Sequence, residues 1–136
     1  MEKSKIQLIK EFIETCPYLE NGKVNVDYIK DEAGSYSIDE TPVTTILTQF
    51  ADGGTRNQIL FDFSIQANFS VLENIKNSKF CDDFTKWIKE QDKTGNLPKI
   101  DGICWIRCTG RGTILQTTEA TAIYVIPIQV VYEEDF

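Results

Sequence analysis

The sequence predicts an α+β fold, an antiparallel sheet with helices packed on one face, in a single domain spanning residues 1–136. Three observations predict it. Apolar residues recur at intervals of three and four between Ser4 and Thr15, and again between Ser70 and Gly95. From Asn57 to Gln66 the pattern alternates, with Ile59, Phe61, Phe63 and Ile65 on one face and Leu60, Asp62, Ser64 and Gln66 on the other. The chain then ends in two long runs rich in Ile, Val, Thr and aromatics, which are strand formers.

In the first segment Ile6, Ile9, Phe12 and Ile13 make the apolar face of a helix, with Lys5, Lys10, Glu11 and Glu14 elsewhere, and Pro17 stops it. A turn at Asn21-Gly22 leads into a short strand, Val24-Asn25-Val26. Asp31 to Asp39, with Gly34 and several acids, reads as a loop. Thr41–Phe50 and Asn57–Gln66 read as the strands of a hairpin. Asp52-Gly53-Gly54-Thr55 forms its turn, because glycine accepts positive φ. Ile59, Phe61, Phe63 and Ile65 are its buried face.

Ser70-x-x-Glu73 is a capping box that starts a helix carrying Val71, Leu72 and Ile75. The apolar spacing slips at Asn77-Ser78 and resumes as Phe80, Phe84, Trp87 and Ile88. This reads as two consecutive helices, the second capped by Ser78 and closed by Gly95 and Pro98. Its apolar face is expected to pack on Ile59, Phe61, Phe63 and Ile65. A second hairpin follows, Ile103–Thr118 with Thr121–Tyr132, turning at Glu119-Ala120. Thr118 then pairs Thr121, and Gly112 falls opposite Pro127. Gly110 and Gly112 mark a bulge or kink where proline cannot donate.

The net charge is -7, from 21 acids and 14 bases. Acids gather at Asp27, Asp31, Glu32, Asp39, Glu40 and Asp52, and no base follows Arg111. This balance argues against phosphate-backbone binding, which needs a clustered cationic footprint. No apolar run reaches the roughly 20 residues of a membrane helix, and the N-terminal stretch lacks a signal-peptide pattern. The expected setting is a cytoplasm. Cys16, Cys81, Cys104 and Cys108 lack ligand spacing: on a strand, Cys104 and Cys108 would stand about 13 Å apart. No metal or disulfide is expected.

The absence of histidine removes Ser-His-Asp, Cys-His and HExxH chemistry. No phosphate loop occurs, and Gly110-Arg111-Gly112 lies between strand-like runs rather than before a helix. Asp82-Asp83 and Glu133-Glu134 are neighbours that do not converge. No catalytic, cofactor or metal residue is assigned. Trp105 and Arg107 share a strand face, as a nucleic-acid platform requires, but the charge balance favours a core aromatic with an arginine at its rim. In the last strand, Tyr124, Ile126, Ile128, Val130 and Tyr132 make one face. Ile123, Val125, Pro127 and Val131 make the other, interrupted by Gln129. Either helices cover both sides, or another chain covers one.

At this point the sequence resembles the minor capsid, or tail-terminator-like, proteins of long-tailed phages and prophages of Gram-positive bacteria. The likeness runs through Phe12–Leu19, Gly22–Tyr28, Tyr36–Asp39 with Pro42, Asp52–Thr55 and Phe61–Phe63. It continues through Asn74–Ser78, Phe84–Trp87 and Gly95–Pro98, and is weakest from Ile100 to Thr121. The resemblance implies a tail-terminator-like fold and a structural role without enzymatic activity. Such a protein forms a ring, generally hexameric, that caps the tail tube and docks the head connector. It lies in the virion tail or neck after synthesis in the host cytoplasm. It binds no membrane and no specific nucleic acid, with DNA only passing through its channel. A ring needs two different surfaces on each subunit. The two candidates are the turn Asp52, Gly53, Gly54, Thr55 and Arg56, and the second face of the last strand, Ile123, Val125 and Val131. A capsid or neck component, and a small cytosolic enzyme or ligand-binding domain, are the alternatives.

Overall fold

The computed structural model describes residues 4–19, 24–26, 35–42, 45–68, 71–110, 113–117 and 121–134, with the backbone alone for 35, 67–68, 71–77, 113–117 and 121. The fold is mixed α+β. Its elements are α1 (Lys5–Ile13), β1 (Asn25–Val26), β2 (Ser35–Thr41), β3 (Ile46–Gln49), β4 (Thr55–Asn68), α2 (Val71–Thr94), β5 (Ile103–Cys108), β6 (Thr113–Thr117) and β7 (Thr121–Glu134).

β4 and β7 form the spine. They pair antiparallel without interruption from Thr55↔Glu134 to Asn68↔Thr121. β2 and β3 share the outer edge of β4, and β5 and β6 share the outer edge of β7. β1 adds to β2 in parallel, Asn25↔Ser37, so the sheet is antiparallel except for this pair. Two residues of alternation carry no information about strand direction.

The core lies on one face. Ile59, Phe61, Phe63 and Ile65 stand opposite Val130, Ile128, Ile126 and Tyr124, with Tyr36, Ile38 and Ile106 alongside. Both helices pack on this face. Phe84 stacks on Phe63 at 4.5 Å between ring centroids, and Phe12 of α1 meets Trp87 of α2 at 5.1 Å. The predicted packing of the hairpin face on Phe80, Phe84, Trp87 and Ile88 therefore holds, with Phe80 at the margin, 6.1 Å from Phe84.

α1 begins where Ser4 accepts from the Gln7 amide at 3.3 Å. Glu14 at its end pairs with Lys10 and also accepts from the Val24 amide at 3.0 Å, which ties the helix to β1. The predicted pair of helices is instead one helix, Val71–Thr94, running through Asn77-Ser78. Asn and Ser cost only a few tenths of a kcal/mol each in a helix interior, less than a second costly nucleation. It closes at Gly95, φ 79.

The predicted loop over Asp31–Asp39 is a strand from Ser35 onward. Tyr36 and Ile38 bury on the core face opposite Ile65 and Phe63, while Ser37 and Asp39 take the other face. Two apolar residues among acids are too weak a pattern to reveal a strand that its partner supplies. The predicted strand Thr41–Phe50 shrinks accordingly to Ile46–Gln49.

In the terminal hairpin, Thr117 pairs Ala122 and Gln116 pairs Ile123, the register a Glu119-Ala120 turn demands. Irregularities then shift it, so that Cys108 pairs Ile128. The predicted break opposite Pro127 is present, but Thr109 and Gly110 stand at the proline where the sequence predicts Gly112. The Thr109 amide donates to the Pro127 carbonyl at 2.9 Å, and a Cβ on Gly110 would stand 3.2 Å from the proline ring. The Asn21-Gly22 turn, the Ser70 capping box, the Glu119-Ala120 turn and Gly112 lie outside the described residues or their described side chains.

Candidate interaction surface

The turn between β3 and β4 is built by local hydrogen bonds. The Phe50 amide donates to the Gly54 carbonyl at 2.8 Å, and the Gly53 amide to the Phe50 carbonyl at 3.1 Å. Asp52 Oδ1 accepts from the Gly54 amide at 3.0 Å. Gly53 has φ 94, open to glycine and costly for other residues. Gly54 is buried, since a Cβ there would stand 3.1 Å from the Glu134 carbonyl. Thr55 Oγ1 accepts from the Asn57 side-chain amide at 2.9 Å.

Arg56 does not project from this turn. It lies on the second face of the sheet, where its guanidinium sits 5.9 Å from the rings of both Phe50 and Trp105 and 3.6 Å from Glu133. Trp105 lies there too, not in the core, with the Arg107 guanidinium 4.5 Å above its ring. β5 has an irregularity between Ile103 and Trp105, after which Ile106 and Cys108 face the core and Trp105 and Arg107 face away. Phe50, Arg56, Trp105 and Arg107 thus form an alternating aromatic and cationic ladder. Its arginine charges are met by Glu133 and Asp92. Arg56 Nε and Trp105 Nε1 are buried without an acceptor among the described residues.

The ladder explains Val131. Trp105 is its partner across β5 and Gln58 across β4, and Gln129 donates to Gln58 at 2.9 Å. Walled by these long side chains, Val131 is 0% exposed although both described helices lie on the opposite face. Val125, flanked by Ser64 and Thr113, is 9% exposed, and Ile123 is half-buried. Of the two predicted interface groups, Val131 lies beside Arg56 of the turn, and only Val125 and Ile123 stand well apart from it. Thr55 pairs near the C-terminal end of β7 and Ile123 near its start, roughly 35 Å away at strand rise.

The surface that sequence reasoning missed is β3. All four of its residues are exposed, Ile46 at 51% and Leu47 at 45%, and Phe50 follows at 37%. The available signal was the charge-free run Thr41–Ala51 in a chain where 26% of residues are charged.

All four cysteines are free. Burial pushes the Cys81 and Cys108 thiols up to about 11, the nearby Asp82 adding to the effect at Cys81 and a hydrogen bond from Thr85 opposing it at Cys108. Burial also raises Cys16. This is the reverse of an activated thiolate. Two shallow cavities meet at Thr85, one of about 320 Å³ between α2, Gly110 and Tyr124 and one of about 280 Å³ along the seam between α2 and β5. Among the described residues, no group of three or more His, Cys, Asp or Glu is placed to hold a metal, and no helix is long and apolar enough to cross a membrane. The chain matches no protein-family model and no curated protein sequence.

Proposed function

We propose that this chain is a virion morphogenesis protein of a long-tailed phage or prophage, a tail terminator that assembles as a ring, caps the tail tube and joins it to the head connector. The observation that carries the reading is the hairpin of β3 and β4. Its outer strand is exposed along its whole length and presents Ile46, Leu47 and Phe50 to solvent. Apolar surface of this kind marks a contact with another macromolecule. The sequence resemblance supports the same reading. The second predicted surface narrows to Ile123 at the far end of the sheet, since Val125 and Val131 are buried by their own chain.

The test is deletion of the coding sequence from the phage or prophage that encodes it. Electron micrographs should show tails of uncontrolled length without heads, restored to normal by the wild-type chain in trans. Tails of normal length with defective heads would move the protein to the capsid. Intact infectious particles would remove it from the virion altogether.

A further inference from the structure

We infer that the free edge of β3 is a pairing edge for a second copy of this chain, which adds a strand there by main-chain hydrogen bonding. The inference goes beyond the tail reading and does not depend on it.

An edge strand presents unpaired N–H and C=O groups, and soluble proteins blunt such edges with charge, proline or a covering element. The two edges at this end of the sheet differ. On β5, Asp92 from α2 accepts the outward Ile106 amide at 3.2 Å, and Arg107 braces the same carboxylate at 3.6 Å. That edge is covered. On β3 none of these devices is present among the described residues. Its sequence, Ile46-Leu47-Thr48-Gln49, has no charge and no proline, and among the described residues it pairs β4 alone. Ile46 pairs Asn57 on the core side, whereas Thr48 pairs Arg56 on the second face, and both sides of the strand are exposed. The hairpin therefore extends beyond the layer that the helices form.

Charge selects the occupant. Two copies carrying -7 each repel over most of their surfaces. The run Thr41–Ala51 is charge-free and is the longest such run outside the central strands β4 and β7. Pairing through β3 puts no like charges opposite one another. An acidic or basic partner segment would leave its charges unmatched there. A second copy supplies a neutral strand of the same kind, and the added strand covers Ile46 and Leu47 on both copies.

The contact is short, so association should be weak and dependent on concentration. Sedimentation of the purified full chain should show reversible self-association. Hydrogen exchange at the β3 amides should slow as concentration rises. Leu47→Lys places a cation on the edge at an exposed position, so it should leave the melting temperature unchanged while raising the dissociation constant about tenfold or more. Thr48→Val, neutral and β-branched, should preserve association. A wild-type chain that stays monomeric at every soluble concentration would overturn the inference. So would equal association of wild type and Leu47→Lys, or β3 protection that appears only with a different protein. These measurements need no tails, so their outcome is independent of the deletion experiment.

Discussion

The Ile106 amide donates to Asp92 Oδ1 at 3.2 Å, from the outer edge of β5 to a carboxylate near the end of α2. One acidic residue thus satisfies an edge donor and fastens the helix to the sheet. Asp92→Ala should cost about 1–2 kcal/mol in denaturant unfolding and speed hydrogen exchange at Ile106. Asp92→Asn, which keeps an acceptor, should lose less. The exposed Arg107 partner adds little by itself, so Arg107→Ala should change stability less than Asp92→Ala.

Phe63 and Phe84 join the sheet to α2, both fully buried with stacked rings. Phe63→Ala should destabilise by about 3–5 kcal/mol in chemical unfolding, from lost transfer energy plus a cavity. Phe50→Ala, on the exposed hairpin, should stay within about 0.5 kcal/mol of wild type. Equal effects would contradict the assignment of core and surface.

Gly102 and Gly95 share a positive φ, 77 and 79, but not a neighbourhood. A Cβ at Gly102 would collide with the Glu133 carbonyl, and the Glu133 amide donates to the Gly102 carbonyl at 2.8 Å, whereas Gly95 has open space. Gly95→Ala should therefore cost only the left-handed backbone term, about 1–2 kcal/mol. Gly102→Ala should cost more, because the end of β7 must also move. Thermal melts of the two variants give the comparison.

Val125→Asp places a charge where a side chain is only 9% exposed. An unpaired buried charge is costly, so this variant should unfold or lose several degrees of melting temperature. Ile123→Asp, at a half-buried position, should fold. Loss of tail capping in Ile123→Asp, with folding intact, would assign that end of the sheet to the second contact of a ring.

The neutral thiols of Cys81 and Cys108 titrate at about 11 in the folded chain, against 9.0 for an ordinary cysteine. The folded state then holds more protons than the unfolded one between these values. Their stabilisation is complete below about pH 9 and is lost as pH rises towards 11. Melting temperature should fall across that window, and less steeply in the Cys81→Ala/Cys108→Ala double variant, whatever its starting stability. Native alkylation at neutral pH should favour Cys104, half-exposed beside the Gly102 carbonyl, over buried Cys16 and Cys81.

Periodicity alone determined α1, the strong hairpin face Ile59–Ile65 and its packing on Phe84, Trp87 and Ile88. In each, apolar spacing matches the geometry of one element and burial rewards only one orientation. Turn chemistry determined the Gly53-Gly54 reversal and the break opposite Pro127, because positive φ and a missing N–H are properties of single residues. Only tertiary structure decided the rest. β2 exists because β4 offers it an edge, not because Tyr36-Ser37-Ile38-Asp39 prefers to be extended. Trp105 left the core because an irregularity one residue before it reversed which way it faces. Val131 needed no helix because Arg56, Gln58 and Trp105, far apart in sequence, meet around it. The exposure of β3 also depends on where the helices stop, and a charge-free run can be buried or bare until the layer above it is known.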